Sequence, residues 1–102
     1  MKTKKIDLMM SIAGSDNTCG AGVQADIKTC QSLQSYCLNC LTAVTSQNSE
    51  KVFKILELPS NIIQSQILTL ISEYELDSIK IGLVKSVNQA KTIVKVLKKN
   101  KI

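Results

Sequence analysis

Between residues 11 and 29 an apolar run, Ser11-Ile12-Ala13-Gly14, passes through Ser15-Asp16 and the turn Gly20-Ala21-Gly22 into Val23-Gln24-Ala25-Asp26-Ile27-Lys28-Thr29. An apolar strand joined to a helix by a turn crowded with glycine and an acid restricts the fold more than any other feature of the chain. Residues without side chains let the backbone take unusual dihedrals and let a ligand approach the main chain closely. The first amides of the following helix have no intrahelical acceptor, so they face whatever occupies the turn. A small-molecule site at a strand-to-helix junction is the expectation.

The rest of the pattern agrees with an α/β chain. Residues 6–13 form a nearly continuous apolar run of strand length, as a buried parallel strand requires. Residues 21–35 carry Val23, Ile27, Cys30 and Leu33 at helical spacing. A short strand over 38–45 and an exposed strand over 52–58 follow, closed by Pro59-Ser60. The next helix places Ile63, Ile67, Leu70, Ile71 and Tyr74 on one face. Residues 78–82 read as a third buried strand, and residues 86–99 as a lysine-studded helix with Val87, Ala90, Val94 and Leu97 along its apolar stripe. This order predicts parallel strands joined by right-handed crossovers. Ligands in such sheets collect beyond the carboxyl ends of the strands, so residues 14–16, 46–48 and 82–84 should meet at one rim.

With 102 residues the chain fits one domain of modest core. Its 44% hydrophobic and 21% charged residues describe a globular chain. Thirteen basic residues against eight acidic ones give a net charge of +5, all the basic ones are lysines, and they cluster towards the ends: Lys2, Lys4 and Lys5, then Lys91, Lys95, Lys98, Lys99 and Lys101. Without arginine for bidentate base contacts and with few aromatic rings for stacking, solvated lysines are the expectation and a nucleic-acid partner is not. Residues 1–10 resemble a signal peptide superficially, but Asp7 interrupts the apolar run. No stretch approaches the ~20 apolar residues of a membrane span, so no membrane partner and a cytoplasmic location are expected. Cys37-Leu38-Asn39-Cys40 has the spacing of a redox or half-zinc pair, yet it enters a strand pattern in a chain with no histidine. Reduced, partly buried thiols and no metal site are the expectation.

Three polar or glycine positions carry alternatives. Gly14 either exposes its main chain to a flat heterocycle or merely makes the turn. Asp26, one turn into its helix, stabilises the first amides there unless a resemblance gives it a ligand to contact. Gln47 either caps loop backbone or reads a ring nitrogen and the adjacent amine, because a side-chain amide both donates and accepts. A dinucleotide site at Gly20-Ala21-Gly22 lacks the third glycine of that fingerprint and an acid closing a second strand.

Ala13-Gly14-Ser15-Asp16, Gly20-Ala21-Gly22-Val23 and Gln24-Ala25-Asp26-Ile27-Lys28-Thr29, with Leu41-Thr42-Ala43-Val44-Thr45-Ser46-Gln47-Asn48 and Asp77-Ser78-Ile79-Lys80-Ile81-Gly82-Leu83 in order behind them, resemble the hydroxymethylpyrimidine/phosphomethylpyrimidine kinases of thiamine biosynthesis. The resemblance implies a three-layer, ribokinase-like α/β sheet with helices on both faces, residues 1–102 forming the N-terminal portion of a pyrimidine kinase domain. It implies a phosphotransferase acting on the hydroxymethyl group of an aminopyrimidine, with Gly14, Asp26, Gln47 and Leu83 as substrate-binding residues. ATP and Mg2+ are the implied cofactors, and the resemblance puts the nucleotide site and the catalytic residues beyond Ile102. A catalytically inactive remnant or split half, binding the pyrimidine, a second copy or a complementary chain, is the alternative. The family's turn carries proline and a further glycine where this chain has Asn17-Thr18-Cys19, so a left-handed backbone at Cys19 would cost about 1 kcal/mol or more.

Overall fold

One strand organises the molecule. In the computed structural model, which describes residues 6–102, β1 (Leu8–Ser15) runs through the middle of a sheet and pairs in parallel with β2 (Tyr36–Gln47) on one side and β4 (Ser78–Ile81) on the other. Being covered on both faces and paired on both edges explains its unbroken apolar character, with Met10, Ser11 and Ile12 wholly buried. β3 (Val52–Glu57) completes the order β3-β2-β1-β4. Lys2, Lys4 and Lys5 lie outside the described residues.

Three helices cover the sheet among the described residues: α1 (Gly22–Ser32), α2 (Ser60–Ile71) and α3 (Val87–Lys99). Side chains alternate across a strand. Met10 and Ile12 of β1 and Leu38 and Cys40 of β2 point to one face, where they form a buried cluster with Ile63 and Ile67 of α2 and Ile93 and Val96 of α3. Ser11 points the other way, to Asp26 of α1. The result is the three-layer arrangement with helices on both faces that the family resemblance implies.

The expectation of parallel strands throughout needs one correction. β3 is antiparallel to β2. Residues 48–51 are too short a link for a crossover, which takes a dozen or more residues. Asn48 closes the turn instead, its Oδ1 accepting from the amides of Glu50 and Lys51. All six residues of β3 are exposed.

Two helices also differ from their predicted form. α1 stops three residues early because Gln34 turns left-handed at φ 59°. The amide of Ser35 then bonds the Cys30 carbonyl and that of Gln34 the Gln31 carbonyl, which is a Schellman ending without its usual glycine. Both helices are also rotated from their predicted stripes. α1 turns Val23, Asp26 and Cys30 inward and leaves Ile27 and Leu33 exposed. α3 buries Gln89, Ile93 and Val96 and leaves Val87 and Val94 in solvent. In each helix a polar side chain with specific backbone or side-chain partners takes a place on the inner face.

Candidate functional site

The glycine turn is built on Asp16. Its Oδ1 accepts from the Thr18 amide at 2.8 Å and the Thr18 hydroxyl at 2.9 Å, while its carbonyl accepts from the Cys19 amide at 2.9 Å. The Asp16 amide donates to Oε1 of Gln24, whose Nε2 donates to the Ser15 hydroxyl, so α1 is tied to the end of β1 by its own first turn. Cys19 takes the left-handed conformation, φ 65°, that the missing glycine suggested. Gly22 does so as well, at φ 62°, and passes so close to Gly14 that a β-carbon on it would lie 2.3 Å from the Gly14 carbonyl oxygen.

Amide donation from Thr18 in the first place, helped by the Thr18 hydroxyl and the amides of Ala21 and Gly20, holds the Asp16 carboxyl below its ordinary value of 3.8. A depressed folded-state value stabilises the fold above the unfolded value and stops doing so as pH falls through the folded one. Unfolding free energy measured between pH 7 and pH 2 should therefore drop in the acid limb below about pH 4. In Asp16→Asn that limb should be flatter.

Two other strand ends, those of β2 and β4, meet this junction. The Thr45 hydroxyl donates to the Ser15 carbonyl at 2.7 Å, the Gln47 amide donates to Oδ1 of Asn17 at 2.9 Å, and the Gly82 amide donates to the Ile12 carbonyl at 2.8 Å. Between them lies a cavity of about 190 Å³, lined by Gly14 to Asp16 and Gly22 from the first junction, Thr45 and Gln47 from β2, Lys80 from β4, and Gly82 and Leu83 just after it. That volume suits a single-ring compound. A larger cleft of about 760 Å³ lies at the other end of the sheet, between the ends of α2 and α3, among Tyr74, Leu76 and Ile102. It contains none of the glycine-turn residues and lies away from the carboxyl ends of the parallel strands, where ligands of such sheets gather.

Gly14, Gln47 and Leu83 thus line one cavity. Leu83 packs over Gly14, where an added β-carbon would meet its Cδ2 at 3.1 Å, and its carbonyl accepts from the buried Thr42 hydroxyl at 2.6 Å. The Gln47 amide nitrogen donates to the Thr45 hydroxyl at 2.7 Å, which turns the side chain back toward the rim. Asp26 is not among the lining residues. Its oxygens accept from the Ser11 hydroxyl at 2.5 Å and from Nζ of Lys80 at 2.7 Å, so its link to the cavity runs through Lys80. Lys80 was not singled out from sequence, although a lysine inside Ile79-Lys80-Ile81 is an unusual occupant of an apolar strand.

The cysteine pair separates across the sheet. Cys40 faces α2, its thiol donating to the Ile63 carbonyl, and burial pushes it up to about 12. Cys37 faces α1, where burial first and neighbouring Cys30 second push it up to about 11. Residues three apart on a strand point to opposite faces, so the spacing of a metal or redox pair brings nothing together here. Both thiols are protonated at neutral pH and poor nucleophiles.

Comparison with known proteins agrees with the motifs. The family described as phosphomethylpyrimidine kinase matches residues 16–102. The thiamine biosynthetic bifunctional enzyme TH1, chloroplastic, of Arabidopsis thaliana is 38% identical over 97 residues, covering 95% of this chain and 18% of that protein. The hydroxymethylpyrimidine/phosphomethylpyrimidine kinase of Streptomyces coelicolor is 36% identical over 90 residues, covering 88% and 34%. The crystal structure of phosphomethylpyrimidine kinase from Clostridium difficile 630 superimposes with a TM-score of 0.90 at 39% identity, covering 95% of this chain and 42% of that one. The chain therefore spans well under half the length of these relatives. Matched along nearly its whole length in both sequence and fold, this chain belongs to the phosphomethylpyrimidine kinase family.

Proposed function

We propose that this chain forms the pyrimidine-binding part of a hydroxymethylpyrimidine/phosphomethylpyrimidine kinase domain, residues 1–102 being its N-terminal portion. The observation that carries the reading is the meeting of Gly14, Gln47 and Leu83 from three separate strand ends in one cavity sized for a single ring. Gln47 reads the ring nitrogen and amine of an aminopyrimidine, Leu83 supplies the apolar contact to the ring, and Gly14 lets the ring lie against the main chain. Asp26 acts from behind, through Lys80.

Phosphoryl transfer is chiefly positioning and electrostatic stabilisation of the moving group. ATP with Mg2+ would supply that group in this family. The described residues do not gather three or more His, Cys, Asp or Glu side chains that could hold a metal ion, and Asp16, the carboxylate at the cavity, is engaged by turn amides. No helix among the described residues is long and apolar enough to cross a membrane.

A split-half reading has one observation in its favour. β4 is an edge of the sheet among the described residues, with its own Ile81 and the following Leu83 exposed. An open edge invites a further strand, whether from the same polypeptide, a complementary chain or a second copy. Calorimetric titration with 4-amino-5-hydroxymethyl-2-methylpyrimidine tests the binding claim. Saturable binding that weakens about tenfold or more in Gln47→Ala is expected, and a wild-type chain that takes up no pyrimidine would sink it. A coupled assay with ATP then separates kinase from binding half: turnover above blank favours the first, binding without turnover the second.

A further inference from the structure

Lys80 lines the cavity wall and is tied to Asp26 behind it. In the parallel ladder it stands opposite Ser11, so both side chains project to the face that α1 covers. Asp26 descends from α1 between them, one oxygen taking the Ser11 hydroxyl and the other the Lys80 ammonium. Ser11 is wholly buried, the Asp26 side chain is 12% exposed, and the Lys80 side chain is 49% exposed. The carboxylate is consumed inside the protein, whereas the ammonium, with three N–H donors and one of them on Asp26, keeps donors for the cavity. Among the described lining residues Lys80 supplies the positive charge.

Strand order sets which side of a ligand it meets. β1 lies between β2 and β4, so Gln47 and Lys80 approach the cavity from opposite sides of the central strand. An aminopyrimidine has one ring nitrogen beside its amine and a second on the far edge of the ring. With the first read by Gln47, the second is turned toward β4.

We propose that Lys80 is a specificity-determining residue that donates to this far ring nitrogen, and that Asp26, backed by Ser11, is the positioning residue that aims it. The inference rests on the pyrimidine-site reading. A charged donor on a ring nitrogen distinguishes a pyrimidine from an isosteric pyridine, whose C–H at that position leaves the ammonium without its acceptor.

The test uses two probes, 4-amino-5-hydroxymethyl-2-methylpyrimidine and its pyridine counterpart with carbon in place of the far ring nitrogen, titrated into the wild-type chain, Lys80→Met and Asp26→Asn. The wild type should prefer the pyrimidine about 10- to 100-fold. Lys80→Met should lose that preference while holding the pyridine as the wild type does, and Asp26→Asn should lose part of it. A preference that survives in Lys80→Met, or an equal loss for both probes, overturns the role of Lys80 while leaving the pyrimidine site standing. A wild-type chain that binds neither probe removes the pyrimidine site and this inference together. Lys80→Met leaves the mostly buried Asp26 carboxylate with the Ser11 hydroxyl alone, so a lower melting temperature is expected and the titrations are run well below it.

Discussion

Gly22→Ala is expected to be destabilised by about 2–5 kcal/mol, from about 1–2 kcal/mol for a left-handed backbone bearing a β-carbon and about 1–3 kcal/mol for overpacking. Both causes act at one position. Gly22 holds φ 62°, and its missing β-carbon would stand 2.3 Å from the Gly14 carbonyl oxygen and 3.2 Å from the Asp16 amide nitrogen. All three nearby atoms belong to backbone, so relief requires moving α1 away from the end of β1, which opens the cavity between them. Urea unfolding should show a lower midpoint at an unchanged slope. Gly20→Ala is the control: its β-carbon would meet only the Thr18 hydroxyl at 3.4 Å and an Asp16 oxygen at 3.6 Å, ordinary contacts without a positive φ. Equal stability of the two variants would contradict the turn geometry on which the site depends.

The second large effect is expected at Gln89. Its amide is buried in the layer between sheet and α3, where Nε2 donates to the carbonyls of Thr42 and Leu58 at 2.9 Å each and Oε1 accepts from the Lys85 amide at 2.8 Å. One side chain therefore joins the middle of β2, the exit of β3 and the entry of α3. Gln89→Leu keeps the bulk and removes all three bonds. Thr42 retains the Leu58 amide as a donor to its carbonyl, so the heaviest losses fall on the Leu58 carbonyl and the Lys85 amide. Buried groups left without partners cost about 1–3 kcal/mol each, which makes about 2–5 kcal/mol the expected destabilisation in thermal or urea unfolding. Thr42 also holds the Leu83 carbonyl, so residual folded protein should bind the pyrimidine more weakly. Wild-type stability in Gln89→Leu would mean that this amide is not the clamp described here.

The same residue shows where sequence reasoning ran out. A stripe through Val87, Ala90, Val94 and Leu97 satisfies helical periodicity, and nothing in the order of residues says that a glutamine outranks two valines for the inside. What decides it is the pair of carbonyls that β2 and the β3 exit leave facing α3. Asp26 repeats the lesson on α1. Its inward place is set by Ser11 and Lys80, two strands brought into register across the sheet, whereas Ile27, apolar and correctly spaced, is left outside. Early termination of α1 at Gln34 was likewise hidden, because the usual glycine signal is absent. Cys19 was legible: the place of a lost glycine in a familiar turn marked it for positive φ.

Sequence alone determined the layered α/β architecture, the order of its elements and the residues at three strand ends, because alternation, helical spacing and glycine turns are local properties written along the chain. It also determined kinship, since three motifs in register share one ancestry. Tertiary structure alone decided the direction of β3, the rotation of α1 and α3, the separation of Cys37 from Cys40, and the recruitment of Lys80 to the cavity through Asp26. Those outcomes depend on which polar groups from distant segments meet in a buried layer, where each must find a partner. Such pairings exist only after the sheet has set its register.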